Sequence, residues 1–283
     1  MTKPSVIVAG IARNIDKTLE LDIAKLNSSL GRFNKIFWII IESDSTDDTR
    51  EILQRLQNCT PNFSYKCLGE LNATIPERTV RISHCRNQYM QEIENNEAYA
   101  DADYVLIADL DGTNNLIDQK GIDSCFSNDT WAACTANQAG PYYDVWALRH
   151  HTWSPNDCWK QQKFLQNHGW SKVHSIFSSV YARMIVIPQF ATWIEVDSSF
   201  GGLGLYRKNS ILSLRYTGVN EQGEEVCEHV PFHQSLKRRG GQIFINPAMI
   251  NCDKVAHTRK LRLPHRFKLK LQLFLWPFFP KNW

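Results

Sequence analysis

Tyr104-Val105-Leu106-Ile107-Ala108-Asp109-Leu110-Asp111-Gly112 is the stretch from which the rest of the chain can be read. Residues 104–108 hold no polar alternation, and a short apolar run of that kind must bury both of its faces, as a strand in a helix-covered parallel sheet does. Ligands of open α/β sheets bind beyond the carboxyl ends of the strands, so the carboxylates of Asp109 and Asp111 are expected where a ligand sits. Two acids one residue apart on extended backbone reach a single hard divalent cation, one of them directly and the other directly or through water, and such a cation keeps sites for phosphate oxygens. Asp-Gly is equally common as plain turn chemistry. The continuous apolar strand in front of it favours the ligand-binding reading.

The same alternation extends on both sides. Residues 6–9 form a β-branched run closed by Gly10, and Leu19, Ile23, Leu26 and Leu30 then recur at helical spacing. Residues 36–41 are continuously apolar, and Ser45-Thr46-Asp47-Asp48 supplies the cap and acidic first turn of a helix carrying Ile52, Leu53 and Leu56. A weaker strand over 63–68 leads to a helix from about Arg81, with Ile82, Cys85, Tyr89 and Ile93 on one face. After a strand at 131–136, residues 142–175 read as long loops and short helices over the sheet, facing substrate. A turn and strand at 200–206, a helix over 228–239 stopped by Gly240-Gly241, and a strand at 242–246 ending before Pro247 complete the pattern. Strands alternating with helices predict an α/β fold with a parallel sheet covered on both faces.

Composition bounds the alternatives. In 283 residues, 43% hydrophobic with 14 Gly and 11 Pro, collagen-like and disordered classes are excluded. One elaborated domain is expected. The 32 Lys and Arg against 29 Asp and Glu argue against a dedicated nucleic-acid partner. Seven of the basic residues and none of the acids fall in 258–283, leaving a mildly acidic body with 25 basic residues and a basic tail. The eight cysteines form no C-x-x-C pair, so neither a zinc ribbon nor a disulfide framework is indicated, and reduced thiols in a cytoplasmic compartment are expected. The opening MTKPSVIVAGIARN suits a first strand better than a signal segment, and nowhere is there a run of about 18 apolar residues.

Other strand ends offer candidate ligand contacts. Ala9, Gly10 and Arg13 follow the first strand, with small residues that let a flat base approach the backbone. Glu42-Ser43-Asp44 follows the second, with oxygens for ribose or base edges. Arg78, Arg81 and Arg86-Asn87 sit near a helix start, where guanidinium and free N–H groups both favour a diphosphate. Each of these singly also reads as a cap or a solvated charge. His229 and His233 are four residues apart on a helix and can share a metal, but no third ligand or H-E-x-x-H pattern accompanies them, so a zinc hydrolase is disfavoured against core histidines or a catalytic His229. Tyr142, Tyr143, Trp146, Trp153, Trp159 and Trp170 are core aromatics or sugar-stacking rings. Asp144 and Arg149 among them need partners if buried, and Asp144 is expected to touch the acceptor or the donor sugar.

The small-residue exit of strand one, Ile40-Ile41-Glu42-Ser43-Asp44-Ser45-Thr46-Asp47-Asp48-Thr49, the Arg86-Asn87 helix and the Asp109-x-Asp111 turn resemble a GT-A glycosyltransferase, a likeness running over residues 5–257. More narrowly, Glu42-Ser43-x-Ser45-x-Asp47-x-Thr49, Tyr143-Asp144-Val145-Trp146-Ala147-Leu148-Arg149 and Cys227-Glu228 resemble the fungal capsule-associated mannosyltransferases. The resemblance implies a single GT-A domain over 1–257, its nucleotide-binding half at 1–115 and acceptor half at 116–257, with a mixed, mostly parallel sheet. It implies Mn²⁺ or Mg²⁺ at Asp109, Asp111 and His257, a glycine-rich loop including Gly202 beside the donor sugar, and Glu228-His229 in place of a Glu-Asp pair that serves as base or acceptor contact. Histidine at 229 departs from that pattern. The implied activity is transfer of a sugar, mannose from GDP-mannose, to a glycan or lipid-linked saccharide in surface polysaccharide synthesis.

Two other classes compete. A nucleotidyltransferase predicts a basic, glycine-rich phosphate loop after strand one, where 9–14 hold one Gly and one Arg. A membrane-attached carbohydrate-binding module would bind glycan without metal or turnover. Residues 258–283 mix basic and aromatic side chains as a headgroup-level segment does, so peripheral contact with an anionic inner membrane face is expected.

Overall fold

The computed structural model describes residues 3–253; His257 and the basic aromatic stretch 258–283 lie outside the described residues. Its first half alternates β1 (Ser5–Ala12), α1 (Leu19–Ser29), β2 (Lys35–Glu42), α2 (Thr49–Cys59), β3 (Phe63–Cys67), α3 (Arg78–Asn95) and β4 (Tyr104–Asp109). The second half contains α4 (Gln119–Ser124), β5 (Trp131–Gln138), α5 (Cys158–Asn167), α6 (Lys172–Ser179), β6 (Ile194–Val196), β7 (Leu203–Arg207), α7 (Lys208–Ile211), α8 (His229–Arg238) and β8 (Gln242–Cys252). All eight strands form one sheet in the order β3-β2-β1-β4-β7-β5-β8-β6.

The apolar runs explain β1, β2 and β4. Along β1 and β4, Ile7, Ala9, Val105 and Ile107 face one core, while Val6, Val8, Leu106 and Ala108 face the other. With both faces covered, the strands pair in parallel, Ile7 opposite Phe37 and Val105. β7 enters antiparallel between β4 and β5, and β6 closes the far edge antiparallel to β8, so the sheet is mixed and mostly parallel.

One expected boundary is wrong. β8 does not stop before Pro247 but continues to Cys252. The ladder to β5 shifts register there, from Thr135 opposite Ile245 to Asn137 opposite Ile250, so the proline, which lacks an N–H, falls in a bulge. The Asn137 side chain donates to the Pro247 carbonyl at 3.0 Å. No disulfide joins any of the eight cysteines, and among the described residues no helix is long and apolar enough to cross a membrane.

Candidate functional site

A cleft of about 790 Å³ opens at the carboxyl ends of β1, β2 and β4, roofed by the segment after β5 and by the start of α8. Its floor is the turn after β4. The backbone N–H of Asp109 donates to the Gly202 carbonyl at 2.9 Å, and the Asn114 side chain donates to the Asp109 carbonyl at 2.6 Å. The Gly112 N–H donates to Asp22 Oδ2 at 2.8 Å. Gly112 has φ +88°, a left-handed conformation that favours glycine. The turn is thus held from both halves of the chain. Asp111 projects from it exposed, one oxygen accepting from the Thr113 hydroxyl at 2.9 Å.

Arg86 of α3 lies across the cleft floor, buried. Its Nη2 donates to Asp109 at 3.3 Å, Nε to Glu228 at 3.0 Å and Nη1 to the Tyr89 hydroxyl at 3.2 Å. The guanidinium also sits 5.3 Å from the Phe200 ring centre and 5.6 Å from that of Tyr216. Burial works against its charge, but the Tyr89, Glu228 and Asp109 oxygens outweigh it and hold Arg86 protonated well above its ordinary value. The Asp109 carboxyl is pushed up to about 7, by burial first; Arg86 opposes this, and the nearby charges of Asp111, Asp144 and Glu228 add to it.

Glu228 immediately precedes α8 and is buried, with His229 beside it; His229 Nε2 lies 3.5 Å from Glu228 Oε1. The His229 ring stacks on Phe200 with centroids 3.9 Å apart, and neither of its nitrogens meets a hydrogen-bond partner. Burial, then Arg86 and His233, drive its pKa well below the ordinary range, so the ring is neutral. His233, by contrast, is fully engaged with the Ser198 hydroxyl at 3.0 Å and the Tyr206 hydroxyl at 2.9 Å. It is a core histidine, with both ring nitrogens taken by these hydroxyls.

Arg13, Arg78, Arg81, Arg86, Asp109, Asp111, Asp144, Glu228 and His229 all line the cleft. Arg81 also closes the preceding loop, donating to the Ile75 and Pro76 carbonyls at 2.6 and 2.7 Å. Other candidates sit elsewhere. Ala9 and Gly10 are inside β1, because the strand runs on to Ala12; Ala9 packs in the core, and a Cβ on Gly10 would lie 2.9 Å from Leu110. Glu42 is fully buried and turned away, accepting from the Ser45 N–H at 3.0 Å and from Arg50 Nε at 3.2 Å. Its neighbour Asp44 faces the cleft instead, at φ +58°, accepting from the Leu71 and Asn72 N–H groups at 2.9 and 2.8 Å. Burial raises the Asp44 carboxyl, but hydrogen bonds led by that of Asn72 win and hold it below the usual range. Asn87 points away from the cleft and pins the Tyr216 backbone.

Gly202 is a bracket rather than part of the cleft wall. Its carbonyl holds Asp109, and at φ +84° a Cβ there would lie 2.8 Å from the Tyr143 hydroxyl. Gly201 donates its N–H to Asp144 Oδ2 at 2.9 Å. Arg149 is structural, paired with Asp157 at 3.0 Å. Sequence reasoning missed Phe200 and Tyr216, the rings against Arg86; the position of Phe200 just before the glycine pair was the available signal.

Asp109 and Asp111 fit a hard divalent cation. Both donors are carboxylate oxygens, and Asp109, raised first by burial, also has the charges of Asp111, Asp144 and Glu228 around it, a build-up of like charge that a cation relieves. Among the described residues no group of three or more His, Cys, Asp and Glu side chains assembles into a ligand set, and His257 lies outside the described residues. Two carboxylates leave the remaining positions to water and phosphate oxygens.

No family model matches the sequence, and no curated protein matches it. Solved structures do. S. aureus TarS in complex with UDP-GlcNAc superposes with a TM-score of 0.52 at 12% identity, over 99% of this chain and 68% of that one. The fold is GT-A. Also similar are a mannosyltransferase from Pyrobaculum calidifontis in complex with GDP-Man and Mn²⁺ (TM-score 0.49, 13% identity, 88% of this chain and 56% of that one) and glucosyl-3-phosphoglycerate synthase from Mycobacterium tuberculosis in complex with UDP (0.44, 13%, 96% and 78%). At such identities the likeness is one of fold alone, and this chain spans 56% of the mannosyltransferase.

Proposed function

We propose that this chain is a metal-dependent glycosyltransferase that moves a sugar from a nucleotide-sugar donor to a hydroxyl of a glycan or lipid-linked saccharide. The observation that carries the reading is the pair Asp109 and Asp111 on the floor of a cleft at the carboxyl end of β4, facing Arg86 and Glu228. That such a sheet in TarS was solved with UDP-GlcNAc supports a nucleotide-sugar ligand.

Bound at the two carboxylates, Mn²⁺ or Mg²⁺ supplies Lewis-acid stabilisation for the negative charge that grows on the departing nucleotide. The chain's own residues do the rest. Arg78 and Arg81 bring positive charge to the same cleft, and the buried Arg86 adds a fixed one. Asp44 and Ser43, at the end of β2, face the nucleoside side. Glu228 already accepts from Arg86, so it orients an acceptor hydroxyl rather than removing its proton. Neutral His229 keeps one donor and one acceptor nitrogen for substrate, and Asp144, steadied by Gly201, contacts the sugar.

Mannose as the transferred sugar, GDP-mannose as donor and retention of configuration rest on the three sequence blocks at 42–49, 143–149 and 227–228. Retention needs no base at the acceptor, in keeping with an engaged Glu228. A panel of nucleotide sugars assayed for nucleotide release, first with Mn²⁺ and then with EDTA, tests the proposal. EDTA-sensitive turnover of one donor is expected; no such turnover with any donor, given a saccharide acceptor, contradicts it.

A further inference from the structure

Large apolar side chains left exposed are concentrated in one stretch of the chain. Six of the eight among the described residues, Trp159, Phe164, Trp170, Ile185, Val186 and Phe190, fall within residues 158–193. That stretch makes up 36 of the 251 described residues, so the clustering is not the ordinary scatter of surface apolar groups. Phe190 is 93% exposed, at a turn where the Ala191 N–H bonds back to Pro188.

The charge of this stretch is equally uneven. Between Asp157 and Glu195 there is no Asp or Glu, against Lys160, Lys163, Lys172 and Arg183. Removing those four from the 25 basic residues of 1–257 leaves 21 against 29 acids. Arg183 is buried and ties the segment to the preceding residues Ser154 and Asn156, and Lys160 pairs with Glu224 at 2.6 Å. Lys163 and Lys172, in the same stretch, are exposed.

The patch is continuous with the cleft. α5 and α6 pack together, and Trp159, Tyr181 and Met184 from the same stretch line the cleft that the Asp109 turn also lines.

We infer that residues 158–193 form a membrane-contact surface that seats the mouth of the cleft on an anionic lipid leaflet. Exposed aromatic rings with interspersed lysines and no acids suit the headgroup boundary, where apolar area and attraction to anionic lipid add. Charge also decides between occupants. The stretch 258–283 carries seven basic residues and no acid, and a second copy would bring the same basic face, so both meet like charge here. A leaflet at the mouth would present a lipid-linked saccharide to the acidic floor, a consequence that rests on the proposed transfer; the surface itself does not.

Vesicle co-sedimentation of the full chain, with phosphatidylcholine alone and with added phosphatidylserine, tests this without any turnover. The unaltered chain is expected to bind, more tightly with phosphatidylserine. Phe190→Ser combined with Trp170→Ser is expected to weaken binding by about tenfold or more, as loss of buried aromatic surface requires, with an unchanged melting temperature. A second variant, Trp276→Ser with Phe278→Ser and Phe279→Ser, is expected to retain binding through 158–193. Undiminished binding of the first variant, absence of binding by the second, or a dimer that the first variant converts to monomer overturns the inference. Failure of donor turnover, with vesicle binding intact, would strike only the proposed function.

Discussion

The two halves of the sheet are built on different forces. In β1, β2 and β4 the strand interiors are apolar on both faces, and the chemistry sits only at the ends. In β5 and β8, Thr135, Asn137, Gln138, Asn246 and Asn251 are buried in the strands themselves. Directional bonds join them: Asn251 Nδ2 donates to the Gly201 carbonyl at 2.8 Å and to Asn114 Oδ1 at 3.1 Å, and Gln138 donates to Asn251 Oδ1 at 3.2 Å. Non-directional burial tolerates volume-conserving change, whereas a half-broken buried network leaves polar groups stranded. Asn114 and Gly202 hold the backbone of Asp109. The polar half therefore aims the acids that the apolar half delivers.

The largest effect should come where the halves meet. Asp111→Asn is expected to lower nucleotide-sugar turnover by about 10²- to 10³-fold, with the melting temperature unchanged because the side chain is exposed; steady-state assay and thermal unfolding read both. Next, within the polar half, Asn251→Leu strands Asn114 Oδ1 and leaves the Gly201 carbonyl only its longer bond from Gln138, at 3.3 Å; it should cost about 2 kcal/mol in denaturant unfolding, with turnover reduced as the Asp109 turn loosens. A purely apolar core there would show a smaller loss and full activity.

Acid should single out the same half. Burial holds the His233 pKa down to about 3 from 6.5, so the unfolded chain takes up the proton first. Its contribution to stability is present above pH 6.5 and is lost as the pH falls towards 3. Unfolding measured across that range should show a shallower acid loss in His233→Gln than in the unaltered chain. Smallest of all, Ile40→Val in β2 should cost about 1 kcal/mol and leave turnover unchanged; a larger effect on turnover would erase the contrast between the halves.

The same contrast explains what was legible in the sequence. Residues 104–108 and 36–41 announced buried strands because burial on both faces needs only apolar type. Asp109 and Asp111 could be placed because a strand end is also a sheet rim. Glu42 looked equivalent, but whether a strand-end acid faces the cleft depends on local partners: Arg50 and the Ser45 N–H draw it inward, and the left-handed turn at Asp44 presents the next acid instead. Ala9 and Gly10 were misplaced because β1 runs two residues beyond Gly10. Arg86 was legible as a cation at the site, but not its bridge between Asp109 and Glu228, which joins residues far apart in the chain. Pro247 was read by its local effect on a ladder, and only the register shift across β5 shows how the strand absorbs it.

Everything functional depends on the Asp109–Asp111 turn gripping a nucleoside diphosphate through a divalent ion. Calorimetric titration of GDP and of UDP into the full chain, with Mn²⁺ and then with excess EDTA, measures that grip without an acceptor or a donor sugar. Binding of at least one of the two that weakens by tenfold or more in EDTA, and equally in Asp111→Asn, is the expected result. Affinity indifferent to both chelator and substitution would contradict it.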